Sequence, residues 1–317
     1  MNDVIIYKEA GRLNYDPTRT TLLRNSFAGD MNRRFKAIAA GIVVSVYQND
    51  CFGSNLPSLR VFQVRPINPA AFAFLRDGEK VAAFLKWLDD QVKAELLTVI
   101  ELDQIGKSIE AIWTNRYLFD SYKRGVIRAR NEMIRSGVNV PSIEDGGGIA
   151  TILSTPFHLE RLGLIFTRFY SDLKGITDVM ASQISRILAQ GIADGDGPRL
   201  LARKLVSTIN GTGIGELGIT DTVGRFIPAM RRAEILVRTE MIRAHHLATI
   251  QEYRNWGLLN IKVKAEWKTA GDDRVCDKCA SLEGKIYSLD EIEPMIPLHP
   301  QCRCIALPYI EELKKYE

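Results

Sequence analysis

The sequence contains no run of roughly 18 apolar residues, the length that a membrane-spanning helix needs. Its longest apolar stretch, Ala37 to Tyr47, is far shorter and is expected to be a core helix. The opening residues, Met1-Asn2-Asp3-Val4, lack the basic segment and apolar run of a secretory signal, so export is not expected. Histidine is scarce, with four residues, and no H-E-x-x-H pair occurs. That absence argues against a helix-borne catalytic metal of the hydrolase type. His245 and His246 adjoin, and neighbours on a helix face different ways, so they are not expected to share an ion. His158 follows Pro156 near a helix start and has no partner by spacing. Gly211-Thr212-Gly213-Ile214-Gly215 has no apolar strand before it and no G-K-S/T after it, so it reads as a loop and not as a phosphate cradle. No repeat of fixed period is present. The formal charge of +4 permits contact with nucleic acid without the dense basic patch of a dedicated binder.

Helical periodicity dominates what remains. Residues 1 to 30 are polar and include the turn-like Asn14-Tyr15-Asp16-Pro17, which suggests an arm or a loosely packed start. Asn32 to Gln48 is apolar along one side. The chain then breaks at Gly53, Pro57, Pro66 and Pro69, with Pro69 placed to open a helix. Between Glu79 and Ile105, Val81, Phe84, Leu85, Leu88, Val92, Leu96, Val99 and Ile100 recur at three- and four-residue steps. Ser108 to Ser136 continues in that style and would join its predecessor at Gly106 as a hairpin or bundle. Asp145-Gly146-Gly147-Gly148 marks a loop. Pro156 to Ala189, Arg199 to Ile209 and Asp221 to Trp256 are three further helices. Period-two alternation appears only later, at Ile261, Val263, Ala265 and Trp267, with two short strands expected at 285–287 and 303–307. The expected fold class is mainly α, a helical bundle or hairpin with a small C-terminal α+β module.

That module holds four of the five cysteines within residues 276 to 304; Cys51 alone lies elsewhere. An odd cysteine count without a signal points to a reducing compartment, where thiols bind metal more often than they oxidise. Cys276-Asp277-Lys278-Cys279 is followed, at loop distance, by His299-Pro300-Gln301-Cys302-Arg303-Cys304. A C-x-x-C turn brings two sulfurs to one point, and zinc takes four S or N donors in a tetrahedron. The return segment offers three donors for two positions. An extended Cys302-Arg303-Cys304 would place both sulfurs on one side, whereas a turn favoured by Pro297 and Pro300 would converge His299 and Cys302. The expected ligands are Cys276, Cys279, His299 and Cys302, with Cys304 as the alternative. So small a module buries little core of its own, which favours a structural zinc ion over a catalytic one.

The same residues resemble the phage head morphogenesis family named after the F protein of phage Mu, the minor head proteins. The resemblance rests on Arg238-Thr239-Glu240, Trp267-Lys268-Thr269-Ala270 and Asp273-Arg274-Val275-Cys276-Asp277-Lys278-Cys279. It continues through Leu282-Glu283-Gly284-Lys285 and Leu298-His299-Pro300-Gln301-Cys302-Arg303-Cys304. It covers roughly residues 180 to 308, and residues 1–150 carry no family pattern. It implies a structural, non-enzymatic protein of a tailed bacteriophage at or near the portal vertex, present in several copies in the virion and in the host cytoplasm during assembly. Portal protein, capsid subunits and packaged DNA are the implied partners, and a membrane is not. The domain division expected on this basis is 1–150 and 151–317, with the zinc module at 261–308.

Two other readings belong to different classes. A zinc-stapled nucleic-acid-binding protein would use the basic stripe Arg116, Lys123, Arg124, Arg128, Arg130 and Arg135, whose alternative is a solvated helix face. An NAD-dependent ADP-ribosyltransferase-like enzyme would use Arg238 in an R-T-E triplet. Such sites use a strand and a separate glutamate, while the surroundings here are helical. The plainer expectation for Arg238 and Glu240 is an ion pair that ties their helix to the zinc module.

Overall fold

The computed structural model describes residues 16–53, 77–97, 112–211, 225–257 and 262–310. The expectations at Pro69, Gly106, Val99, Ile100, Ile109, Asp221 and Ile261 lie outside the described residues. The described chain is mainly α with a small sheet near its C-terminal end. In chain order the helices are α1 (Thr21–Ile42), α2 (Asp77–Glu95), α3 (Trp113–Arg135), α4 (Ile149–Leu153), α5 (Pro156–Ala193), α6 (Pro198–Asn210) and α7 (Ala229–Gly257). They are followed by β1 (Val263–Lys268), α8 (Asp277–Ala280), β2 (Ile286–Tyr287), α9 (Leu289–Ile292) and β3 (Ile305–Ile310). No described helix is long and apolar enough to cross a membrane.

Two compact units divide the chain, each gathered from separated stretches. The first takes Met1–Phe27, Leu102–Phe169 and Val237–Glu317; the second takes Ala28–Glu101 and Tyr170–Leu236. Residue 150 therefore falls inside the first unit.

The start of the described chain corrects the expectation of a loose arm through residue 30. Asp16 accepts hydrogen bonds from the amides of Thr18 and Thr20 and from the Thr21 hydroxyl, and pairs with Arg24 at 2.8 Å. Burial opposes ionisation of Asp16, yet Arg24 and these donors hold its carboxyl down at about 2. The turn launches α1, and Phe27 stacks on Tyr117 with 4.5 Å between ring centroids. Polar residues interleaved through Thr21 to Asp30 conceal the buried steps Phe27, Met31, Phe35, Ile38 and Ile42.

In the second unit α1 closes with a π turn at Val43–Gln48, against which α6 packs. The Trp87 ring lies within 3.2 Å of where a Cβ on Gly41 would stand, so α1 and α2 approach closely there. Proline opens α6 at Pro198, its missing N–H being harmless in a first turn. Gly211 ends it in the left-handed conformation, φ 78°.

The first unit is organised around residues 237–257 of α7. Most of these are buried, including Met241, Ile242, Ala244, Ala248, Ile250 and Tyr253. A helix covered on nearly all faces needs an internal partner for each polar side chain. α3 meets it through the small residues Ser121, Gly125 and Ala129. The Ser121 hydroxyl donates to the Met241 carbonyl at 2.7 Å, and a Cβ on Gly125 would lie 2.3 Å from the His245 carbonyl oxygen. Glu252, fully buried, accepts from Arg130 Nε at 2.8 Å and lies 2.9 Å from His158 Nε2. His158 Nδ1 in turn meets the Tyr122 hydroxyl at 2.8 Å. His158 thus has a partner 94 residues away that no spacing announced. His245 and His246 are buried as well, and burial pushes both imidazoles down, His246 to about 4.

The three antiparallel strands run in the order β2-β1-β3, with Ala265 opposite Tyr287 and Pro308, and Trp267 opposite Ala306. Ala265 and Trp267 are fully buried, as the alternation expected. They join one core with Ala129 and Met133 of α3 and with Ile242, Ile250, Tyr253 and Trp256 of α7. The sheet is therefore docked on the helices, and its core is larger than the module alone could supply.

Candidate metal centre

The two halves of the cysteine motif sit on short elements that the sheet and α7 aim at one another. Cys276 occupies the N-cap position of α8, and Cys279 lies in its single turn. The chain returns through β2 and α9, whose Ser288-Glu291 capping box fixes the start of the short helix. A turn then follows, closed by the Cys302 amide donating to the His299 carbonyl at 3.1 Å. Gln301 takes the left-handed conformation in it, φ 62°.

The donors form two overlapping groups. Cys276, Cys279 and His299 offer ligand atoms that all lie within 4.8 Å of one another, and so do Cys279, Cys302 and Cys304. His299 Nε2 stands 3.4 Å from the Cys276 sulfur and 3.3 Å from that of Cys279; the Cys279 and Cys302 sulfurs are 3.9 Å apart. An ideal zinc tetrahedron has S–N edges of about 3.5 Å and S–S edges of about 3.8 Å, from its bond lengths. These three separations fit such an ion. The imidazole is also presented in the right form. Its Nδ1 donates to the Pro300 carbonyl at 2.8 Å, which leaves the Nε2 lone pair facing the two sulfurs. Cys279, Cys302 and Cys304 are buried, while Cys276 is exposed and His299 half-buried. None of the five cysteines forms a disulfide.

The thiols differ in character. A hydrogen bond from Cys304 lowers Cys302 to about 5, and the same contact, with burial, raises Cys304. Burial pushes Cys279 up to about 12, and the Cys279 amide lowers exposed Cys276.

Neighbouring side chains brace this loop. Arg303, between Cys302 and Cys304, grips Asp272 with both terminal nitrogens at 2.6 and 2.5 Å. Arg274 adds a third contact at 3.1 Å, and together these cations hold the Asp272 carboxyl well below the usual range. The Arg238-Thr239-Glu240 triplet behaves differently from the expected ion-pair tie. Arg238 donates to Asn25 at 3.2 Å, and Glu240 pairs with Arg243 at 3.0 Å and Arg168 at 3.5 Å. The contact to the cysteine loop is made by Thr239, whose hydroxyl accepts from the Gln301 amide at 3.0 Å.

The six basic residues of α3 differ in exposure, and Arg130 alone among them is buried. Arg130 is buried against Glu252, with Trp256 beneath its guanidinium, and Arg128 pairs with Glu132 at 2.6 Å. Arg124 donates to the Arg19 carbonyl and Arg116 to the Tyr117 hydroxyl. Lys123 is half-buried and Arg135 exposed. Of these arginines Arg128 and Arg130 are drawn into ion pairs, with Glu132 and Glu252.

Fold and site together define a mainly helical protein whose C-terminal module carries a Cys/His cluster able to hold a metal ion. Residues 182–307, about two-fifths of the chain, match the family model described as Phage Mu protein F like protein. This C-terminal part is similar to that family, and the match points to phage head morphogenesis. The matched segment contains Arg238-Thr239-Glu240 and all five donors of the cluster. No curated protein and no solved structure matches the chain.

Proposed function

We propose that this chain is a minor head protein of a tailed bacteriophage, placed at or near the portal, where it acts in head assembly and DNA passage. Its partners are portal and shell subunits, and it resides in the virion in several copies. The observation that carries this reading is the family match across residues 182–307, which spans the complete cysteine and histidine motif. The role is structural, with no catalytic residue. The engagement of Arg238, Thr239 and Glu240 by Asn25, Gln301, Arg243 and Arg168 supports that part, since it leaves the triplet in bracing contacts.

The ion is zinc, held by Cys276, Cys279, His299 and Cys302, and its function is structural. The fixed Nε2 presentation of His299 beside two sulfurs supports it. Cys304, whose sulfur lies within 4.8 Å of those of Cys279 and Cys302, is the alternative ligand. When bound, the ion neutralises the converging thiolates and joins α8 to the return loop. Mass spectrometry of purified particles, with copy number set against portal, tests the head assignment. Enrichment with portal at a fixed ratio is expected; absence from mature particles and from procapsids overturns it.

A further inference from the structure

We infer that Thr239 is a positioning residue for the metal, coupling α7 to the ligand loop. This rests on the metal reading above. Gln301 is the one described residue of the motif loop with a positive φ, 62°, a conformation that side-chain-bearing residues adopt reluctantly. It lies between Pro300 and Cys302, so the path of the chain there decides where the His299 and Cys302 donors point. The Gln301 amide is not used by the turn itself, whose closing bond comes from Cys302 to His299. It is instead held by the Thr239 hydroxyl at 3.0 Å, from a helix 62 residues earlier.

Thr239 is carried on the part of α7 that is fixed by burial on both sides of it, Val237 and Glu240 being enclosed. The hydroxyl is thus a rigid acceptor. Its loss would free the left-handed turn and spread the Cys302 and His299 donors over more positions. Groups that orient metal ligands without touching the ion change affinity by about 10- to 100-fold when removed. Thr239 performs from a distance what the Asp272–Arg303 clamp does from within the loop.

The test compares Thr239→Val, which keeps the shape and loses the hydroxyl, with Thr239→Ser, which keeps the hydroxyl. Zinc affinity is read by chelator competition, and the ligand field by the visible spectrum of the cobalt(II)-substituted full-length protein. The valine variant is expected to bind zinc about 10- to 100-fold more weakly, with a weakened or shifted cobalt spectrum, while serine restores both. Thermal unfolding of the metal-free proteins serves as the control. Equal affinities for wild type and valine overturn the inference and leave the metal reading intact. So does a valine variant that is destabilised without metal yet binds it normally, because that marks a purely structural threonine. Wild-type protein that takes up neither ion overturns both the inference and the metal reading.

Discussion

Two clusters of polar side chains lie in the first unit, and they are built on opposite terms. The cluster at Glu252 closes on itself: one carboxylate meets Arg130 and His158, and His158 meets Tyr122. The cluster at Cys279 converges donors that all seek the same partner, with sulfur and nitrogen atoms 3.3 to 3.9 Å apart. Charge in the first is neutralised by protein groups carried on long helices. In the second, cysteine and histidine donors on short elements converge closely enough to hold a metal ion. The contrast teaches that polar groups between helices can serve as permanent mortar, whereas converging cysteine and histidine donors on short elements form a cluster suited to an ion.

Breaking the first cluster should have the largest effect. Glu252→Ala leaves Arg130 and His158 buried without their carboxylate, and a loss of about 3–5 kcal/mol is expected in chemical unfolding. That loss should persist in metal-free protein, which separates the two clusters. A loss that vanishes when metal is removed would merge them.

Acidification probes α7 between the clusters. Burial pushes His246 down to about 4, from an unfolded value near 6.5, while its Nε2 meets the Ile292 carbonyl. The folded chain keeps this imidazole neutral, so its contribution is present above pH 6.5 and is lost as pH falls toward 4. Between pH 7 and 5 the loss amounts to about 2 kcal/mol. Denaturant titrations of metal-free wild type and His246→Gln over that range check it, the variant being expected to show the smaller slope with pH.

A smaller effect sharpens the description of the module. Ser288→Ala removes one half of the capping box and should lower stability by about 1 kcal/mol. Chelation of the metal should raise hydrogen exchange at residues 276–304 and leave the amides of α3 and of residues 237–257 protected. Uniform deprotection would mean that the second cluster also serves the helices.

The contrast also governs what could be read from the chain. The Cys/His cluster is legible because its donors sit at short, fixed spacings, C-x-x-C and H-x-x-C-x-C. The amphipathic steps of α2 and the alternation at Ala265 and Trp267 are legible because they too are local. Glu252 and His158 are not, since they meet across 94 residues and neither has a neighbour that marks it. Arg128 and Arg130 read as a solvated stripe because their partners, Glu132 and Glu252, lie on the covered side of α3. The sequence favours Cys302 over Cys304 only through the turn-forming prolines, since both sulfurs follow His299 closely, and both join a candidate donor group. Thr239 lay within a recognised triplet, but its loop partner was visible only once the backbone placed Gln301 beside it.

Metal analysis of full-length protein purified without added zinc or chelator tests the central claim most directly. The account predicts about one zinc per chain in wild type and none retained by Cys279→Ser. Folded, fully reduced wild-type protein that contains no metal and takes up none when zinc is supplied would contradict it.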